Sequence, residues 1–461
     1  MERQASSFLP HPSSLKKMPY FPNTEADRQE MLKAIGAGSV DELFAMVPSE
    51  LRMKQKLCVP PGLGELELTA HVAALAAQNT SAGQAVCFLG GGSYDHFIPA
   101  VVDMVSSRSE FYTAYTPYQA EASQGSLQAF FEYQTLIAEL TGMDVSNASM
   151  YDGGSAAAEA VLMALHQTGR KRVVTTEGVH PEYRQVLATY LANMGIEIVT
   201  LKAAGGAVAI AELAAAVNDQ TACVLVQHPN FFGCLEQVEQ VAEIAHKNGA
   251  LFVVAVDPIS LGILKRPGDY GADIVVAEGQ SLGNPMAFGG PYLGILACRE
   301  QFVRRMPGRL VGQTVDRNGN RCWVLTLQTR EQHIRREKAT SNICTNQGLY
   351  ALRATVYLSL MGPAGMNDVA NLCLQKAHYA AEKLAAVPGL SLAFQQPTFK
   401  EFVVRVKDRP VADVVEKALQ QGIFAGVPLG TWYPELADCL LVAVTEKRTK
   451  EEIDRLAAAL G

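Results

Sequence analysis

From about residue 145 onward, short apolar runs alternate with amphipathic stretches, and this alternation limits the chain to a small number of folds. The apolar runs predict strands at 172–176, 197–201, 223–227, 251–256, 273–277 and 292–297. The intervening stretches predict helices at 155–167, 181–194, 209–217 and 235–248. Nearly all-apolar strands that alternate with helices are typical of a mostly parallel sheet covered on both faces. No helix separates the last two strands, so we expect an antiparallel strand near that end of the sheet.

The rest of the chain divides into segments on either side of this sheet. Residues 1–17 are interpreted as a disordered tail or a mis-assigned start ahead of Met18, and residues 18–125 as an amino-terminal helical arm and loop segment. We assign 126–345 to a large α/β domain. We assign 346–461 to a linking helix, which a turn at Gly362 and Pro363 ends, and a small carboxy-terminal α+β domain.

Composition excludes several classes of protein. The chain has 461 residues, of which 48% are hydrophobic and 18% charged, so it can form a large core. Its net charge of −7 argues against a nucleic-acid binder, and we find no apolar run of about 18 residues that would predict a membrane span. The nine cysteines form no CxxC pair, so neither a zinc site nor a redox motif is predicted. We expect a cytoplasmic protein that binds no metal.

Four residues are candidates for binding a ligand: Gly154, Ser155, His180 and Asp257. Gly154 and Ser155 open a predicted helix, where free N–H groups favour a phosphate, although an ordinary helix cap gives the same pattern. His180 precedes a second helix and could stack on a ring, although a lone histidine in a turn is more often structural. Asp257 ends the 251–256 strand, at the sheet edge where ligands bind in such folds.

Gln280 occupies the position where an enzyme of this pattern would need a lysine. It follows a strand, lies 23 residues beyond Asp257 and precedes the glycine-rich loop 289–291. A pyridoxal-phosphate enzyme carries its Schiff-base lysine in this region, after an aspartate that pairs with the pyridinium nitrogen. The sequence has no lysine between Lys265 and Lys338, and an amide cannot form an imine. The residues therefore predict a chain without its own covalent step.

Long motifs elsewhere carry a resemblance to a known family. They are YTPYQ at 115–119, SQG at 123–125, LQTREQHIRR at 327–336 and KATSNICT at 338–345. With these motifs the chain, from about Met18 to its end, resembles the P-proteins of the glycine cleavage system, which are glycine dehydrogenases (decarboxylating). The likeness is to the first, or α, subunit of the two-subunit form and to the amino-terminal half of the single-chain form.

This resemblance implies the fold type I architecture of pyridoxal-phosphate-dependent transferases, with a mostly parallel seven-stranded sheet. It implies that the cofactor, pyridoxal phosphate, is carried by a partner β subunit in an α2β2 assembly, and not covalently by this chain. Glycine would be decarboxylated, and its aminomethyl group would pass to the lipoyl arm of the H-protein. Gln280 fits such a non-cofactor subunit, and Gly154, Ser155, His180 and Asp257 would be vestiges of a cofactor site.

Three further segments are candidates for an active-site wall or an interface. Tyr94, Asp95 and His96 follow three glycines, and we expect them to be exposed on a mobile loop at the subunit boundary. Arg330, His333, Arg335 and Arg336 form a basic cluster that either is a solvated face or docks the β subunit or the H-protein. Thr340, Ser341 and Asn342 add short polar side chains before a helix.

Two alternatives remain open from the sequence. One is a self-sufficient pyridoxal-phosphate enzyme, an aminotransferase or lyase, whose lysine would be Lys265. The other is a non-catalytic scaffold that docks the H-protein without shaping an active site.

Overall fold

The computed structural model describes residues 23–55, 57–339 and 341–461, which divide into two compact units. The first unit ends at Asn79 and contains helices Glu25–Ala34 and Glu65–Ala76. The Thr24 hydroxyl accepts the Asp27 N–H, and the Asp27 carboxylate accepts the Thr24 N–H, so a capping box starts the first helix. The expected tail 1–17 and the start at Met18 lie outside the described residues. The predicted domain boundaries stay predictions.

The second unit begins at Thr80 and contains the sheets. Its strands are β1 (Val86–Cys87), β2 (Val145–Ser146), β3 (Arg172–Thr176), β4 (Glu197–Leu201), β5 (Thr221–His228), β6 (Leu251–Val256), β7 (Ile274–Glu278), β8 (Gly294–Cys298), β9 (Leu310–Val315), β10 (Arg321–Thr326), β11 (Leu390–Leu392), β12 (Glu401–Val406), β13 (Ile423–Phe424), β14 (Val427–Pro428) and β15 (Cys439–Ala443). Its helices are Ala100–Ser106, Ser109–Tyr112, Gln124–Thr141, Gly153–Thr168, Pro181–Leu191, Ile210–Ala216, Val238–Lys247, Gln332–Arg335, Gly348–Ala385, Val411–Leu419 and Lys450–Leu460.

Seven strands form the central sheet, in the order β2-β8-β7-β6-β5-β3-β4. The five strands β3 to β7 run parallel, and β8 pairs antiparallel with both β7 and β2. The predicted antiparallel strand is therefore confirmed as β8. Because β5, β6 and β7 are parallel neighbours, their carboxyl ends meet at one edge of the sheet.

Helices cover both faces of this sheet. The Gly153–Thr168 helix packs on one face through small side chains such as Ala156, Ala157 and Ala160, all fully buried. The Gln124–Thr141 and Gly348–Ala385 helices contribute to the core on the other face. Burial on both sides explains why β5 to β7 consist almost entirely of apolar residues.

A second, antiparallel sheet has the order β11-β12-β15-β14 and packs against the Val411–Leu419 and Lys450–Leu460 helices. The long helix that leads to it is interrupted at Gly362, whose φ of 57° and ψ of −175° are not helical. The turn predicted at Gly362 and Pro363 is therefore present as a kink. No helix in the described part of the chain is long and apolar enough to cross a membrane.

Candidate functional site

The carboxyl ends of β6 and β7 bring some of the polar side chains that the sequence singled out together with others that it did not. We call the following group, which is buried except for the partly buried Asp257 and Glu278, the strand-end cluster: Tyr94, His96, Asp257, Glu278, Gln280, Lys400 and Glu401. Asp257 follows β6, while Lys400 and Glu401 come from the start of β12 in the second sheet. The cluster therefore joins both sheets to the loop that contains Tyr94.

Gln280 fixes that loop through its amide group. Its Oε1 accepts the Tyr94 N–H at 2.9 Å, and its Nε2 donates to the Tyr94 carbonyl at 3.1 Å. The same Nε2 donates to the Asn284 carbonyl at 2.8 Å. Only 2% of Gln280 is exposed, and its amide is saturated by backbone groups. In this structure Gln280 is thus a structural clamp.

Lys400 is a buried lysine that the sequence analysis did not single out. Only 1% of its side chain is exposed, and its Nζ lies 2.9 Å from Asp257 Oδ2. The ammonium also lies 3.4 Å from the centroid of the Tyr94 ring, within range of a cation–π contact. A buried charge is tolerated only when it is paired and hydrogen-bonded, and these contacts meet that condition.

His96 extends this network to Glu446. Lys400 Nζ lies 3.0 Å from His96 Nε2, and an ammonium can only donate, so Nε2 accepts. The ring proton is then on Nδ1, which donates to Glu446 Oε2 at 2.6 Å. His96, Glu446 and Cys373 lie close enough together to suggest a metal site. The neighbouring ammonium and the two engaged ring nitrogens make this group unsuitable for a cation.

The three glycines at 90–92 allow the backbone to approach β12. A Cβ at position 90 would lie 2.3 Å from Glu401 Oε1, and Gly91 and Gly92 have φ values of 75° and 102°. Glu401 accepts the Gly91 N–H at 2.7 Å and the Tyr94 hydroxyl at 2.8 Å. Burial raises the pKa of the Glu401 carboxyl to about 7.

The expectation that Tyr94, Asp95 and His96 are exposed is wrong. Tyr94 and His96 are 7% and 6% exposed, because the strand-end cluster holds both side chains. Asp95 pairs with Lys447 at 2.6 Å and Arg448 at 3.0 Å.

Carboxylates occupy the start of the Gly153–Thr168 helix, where the sequence suggested a phosphate cup. Asp152 caps the helix and accepts both the N–H and the hydroxyl of Ser155 at 2.8 and 2.9 Å. Glu278 Oε2 accepts the Gly153 N–H at 3.0 Å. A Cβ at Gly154 would also lie within van der Waals contact of Tyr183. Two acidic groups at this position disfavour a phosphate, so the helix-cap alternative for Gly154 and Ser155 fits the structure.

Burial raises the pKa of Glu278 to about 8, although three backbone N–H groups, from Gly153, Gln280 and Leu293, favour its charged form.

His180 stacks on a ring of its own chain. Its centroid lies 4.7 Å from that of Tyr183, with an interplanar angle of 23°. Its Nδ1 accepts the Glu182 N–H at 3.1 Å, which leaves Nε2 to donate to the Gly91 carbonyl at 2.7 Å. Burial lowers the pKa of His180, in agreement with this neutral form.

The remaining predicted residues lie away from the cluster. Arg330 is partly buried and donates to the carbonyls of Met306, Gly308 and Leu327. The other members of the basic cluster, His333, Arg335 and Arg336, are exposed on a short helix and the turn after it.

The third candidate segment has a different outcome for each residue. Ser341 is half-buried and its hydroxyl accepts the Ile343 N–H at 3.0 Å, whereas Asn342 is exposed. Thr340 lies outside the described residues.

Comparison with known proteins identifies the family. The model of the glycine cleavage system P-protein family matches residues 18–460. The chain belongs to the glycine cleavage system P-protein family. A relative from Desulforamulus reducens, named probable glycine dehydrogenase (decarboxylating) subunit 1, is 56% identical over 444 residues, which cover 96% of this chain and 99% of the relative. A relative of the same name from Geobacillus kaustophilus is 54% identical over 442 residues, covering 96% of this chain and 98% of the relative.

Solved structures confirm the fold class. A crystal structure of glycine decarboxylase (P-protein) of the glycine cleavage system, in inhibitor-bound form, matches with a TM-score of 0.90 and 47% identity, covering 96% of this chain and 99% of the other. A C-DES mutant with glycine covalently linked to its pyridoxal-phosphate cofactor matches with a TM-score of 0.61 and 17% identity, over 83% of this chain and 99% of the other. The predicted pyridoxal-phosphate fold type I is therefore correct for this P-protein family member.

The cofactor of that fold does not fit the strand-end cluster. The cavity next to Asp257 has a volume of about 30 Å³, too small for a pyridine ring, although a cavity of about 490 Å³ opens beside it along His180, Glu278 and the helix start at Gly154. Lys400 already pairs with the carboxylate that would meet a pyridinium, and Asp152 and Glu278 hold the helix start that would meet a phosphate. We therefore derive no reaction step through pyridoxal phosphate at this site.

The alternative lysine does not change this conclusion. Lys265 is half-exposed and pairs with Glu239 at 2.7 Å, so it lies outside the buried cluster. Lys400 and Glu401 were missed because a charged pair just before a strand normally indicates a solvated turn. A signal was present in the pattern FKEFVV at 399–404, where the charges are enclosed by apolar residues.

Proposed function

We propose that this chain is the non-cofactor subunit of a two-chain glycine dehydrogenase (decarboxylating) of the glycine cleavage system. A second, homologous subunit carries pyridoxal phosphate, and two copies of each chain assemble into an α2β2 enzyme. The complex decarboxylates glycine and transfers the aminomethyl group to the lipoyl arm of the H-protein. The first support is the name of the relatives, glycine dehydrogenase (decarboxylating) subunit 1, which itself denotes one chain of a larger enzyme.

The observation that carries the proposal is Gln280. Its amide follows β7 in place of an imine-forming lysine, and backbone groups saturate it. A chain with this residue contributes no covalent step of its own, because an amide nitrogen does not condense with an aldehyde. Its contribution to catalysis is then structural: it provides surfaces for the partner subunit and for the carrier protein.

The exposed basic residues of the 328–338 segment are the candidate docking surface. His333, Arg335 and Arg336 are exposed, whereas Arg330 beneath them fixes the segment to the backbone at 306–308. Complementary charge speeds the encounter of two proteins and orients them. An acidic H-protein would bind such a surface. Because the chain has a net charge of −7, the rest of its surface would not attract an acidic protein, and binding would be selective for the basic patch.

The test is reconstitution. The purified chain, mixed with pyridoxal phosphate and carboxyl-labelled glycine, should develop no internal-aldimine absorbance and release no labelled carbon dioxide. Addition of the second subunit and lipoylated H-protein should start the release. A matched control uses a second subunit whose Schiff-base lysine is replaced, and it should remain inactive. Release of carbon dioxide by the lone chain, with coenzyme trapped on it by borohydride, would overturn the proposal.

A further inference from the structure

The strand-end cluster places the chain's own side chains at two positions where a bound coenzyme of this fold would be recognised. In this fold an aspartate pairs with a positively charged ring nitrogen, and a helix N-terminus meets a negatively charged phosphate. Here the positive group beside Asp257 is the Lys400 ammonium, at 2.9 Å. The acidic group at the helix start is Glu278, whose Oε2 accepts the Gly153 N–H at 3.0 Å.

We propose that Lys400 is a built-in substitute for the coenzyme's pyridinium, and that its pair with Asp257 locks the second sheet onto the central sheet. The inference concerns the chain's own residues and stands whether or not the enzyme activity proposed above is correct.

The lock follows from where the partners lie in the fold. Lys400 precedes β12 of the second sheet, and Asp257 follows β6 of the central sheet. Between them lies the 90–96 loop, which Gln280 holds from the central sheet and Glu401 holds from the second sheet. Three elements thus meet at one buried ammonium.

Lys400 supplies the positive group of a network that has an acidic group at each end. Asp257 and Glu446 are the acidic groups at its two ends, and the neutral ring of His96 connects Lys400 to Glu446. Removal of the ammonium leaves a buried carboxylate at Asp257 without its partner, which is a costly arrangement. A neutral side chain of similar length cannot repair this loss, whereas simultaneous neutralisation of Asp257 can.

A double-mutant cycle tests this coupling in the full-length chain. We expect Lys400→Met to lower the melting temperature by roughly 5–10 °C, since breaking a buried ion pair is strongly destabilising. Asp257→Asn should lower it as well, because it leaves the ammonium unpaired. The double variant Lys400→Met/Asp257→Asn should recover most of the loss. The control is the exposed ion pair of Lys265 and Glu239. Lys265→Met, Glu239→Gln and the combination of the two should alter the melting temperature little. If the double variant loses as much stability as the two single variants lose together, the two residues are not coupled and the proposal is wrong.

Chemical rescue tests the identity of the missing group. Lys400→Ala removes three methylenes and the ammonium, so n-propylammonium should enter the space and raise the melting temperature of this variant. The neutral isostere n-propanol should have little effect, and n-propylammonium should not stabilise Lys400→Met, whose side chain fills the space. Equal stabilisation by amine and alcohol would mean that Lys400 acts through volume alone, and the substitute role would be wrong. If Lys400→Ala does not fold, the double-mutant cycle still decides.

The third measurement addresses the coenzyme directly. The variant Gln280→Lys places an amine at the position of the Schiff-base lysine. It should form no internal-aldimine absorbance with pyridoxal phosphate, because Lys400, Glu278 and Asp152 still occupy the positions of the ligand. A borohydride-reducible chromophore on Gln280→Lys, with Lys400 intact, would show that the site is open and that no substitute is present.

Discussion

The strand-end cluster and the 328–338 segment both concentrate charged side chains, but they satisfy them in opposite ways. In the cluster, Lys400 and Asp257 are almost fully buried and pair with each other. In the segment, Arg335 and Arg336 are exposed to solvent. Charges enclosed by their own chain stabilise the fold, and charges left at the surface remain available to another molecule. The comparison therefore separates what holds this subunit together from what it can offer to a partner.

The largest expected effect is at a position where the backbone approaches the cluster closely. Gly90→Ala places a Cβ 2.3 Å from Glu401 Oε1 and 2.5 Å from Ala443 Cβ, so the loop or β12 must move. We expect a loss of about 4 kcal/mol in the free energy of unfolding, measured by urea denaturation. Gly205→Ala is the matched control, since a Cβ there meets nothing within 4 Å. A loss of similar size at both positions would contradict the packing argument.

Arg330 belongs to the basic segment in sequence, but it is partly buried and hydrogen-bonded to the backbone. It therefore tests whether burial or sequence position decides a residue's role. Arg330→Met removes donors to the carbonyls of Gly308 and Leu327, and to that of Met306. We expect a loss of about 2 kcal/mol in unfolding free energy. Arg335→Met, five residues further on and exposed, should change stability by less than about 0.5 kcal/mol. If both variants were equally stable, the distinction between a structural Arg330 and a solvent-exposed Arg335 would be wrong.

How much of this arrangement the sequence predicted depends on the range of the interactions. The strands β3, β4 and β6 were placed correctly to the residue because their apolar runs and the adjoining turns are local signals. Gln280 was identified as a departure from the fold's chemistry for the same reason. The edge strand β2 was missed because it has only two residues, and the β9–β10 hairpin was not predicted because its strands alternate weakly.

The cluster itself could not be predicted, because its contacts span the whole chain. Lys400 contacts Asp257, which lies in the other sheet, and His96, which lies 304 positions away along the chain. Local pattern assigns a polar run such as 93–96 to a surface loop. Only the position of β12 shows that Tyr94 and His96 are enclosed.

The titration of Glu278 predicts how the stability of the chain changes with pH. Burial raises the pKa of its carboxyl to about 8 in the fold, against about 4.5 in the unfolded chain. The folded state therefore retains a proton that the unfolded state loses as pH rises from about 4.5 to about 8, and stability falls over that range. In Glu278→Gln this contribution is absent. Relative to the wild type, the variant should thus gain at least about 1 kcal/mol between pH 5 and pH 8, because its side chain does not titrate. Denaturation midpoints across this range measure it. Glu182→Gln, at an exposed position nearby, should leave the profile unchanged.

The smallest expected effect belongs to the exposed side of the comparison. Reversing the charge with Arg335→Glu and Arg336→Glu should leave the melting temperature of the chain unchanged, because both side chains are in solvent. In the reconstituted enzyme, the KM for the H-protein should rise about fivefold at low salt, with kcat unaltered, and the difference should shrink as salt screens the attraction. A salt-independent loss of kcat would instead place these arginines in the joint between subunits. In that case the segment would stabilise the contact between subunits, as the cluster stabilises the fold of the chain. The two regions would then both have structural roles and would differ only in where they lie.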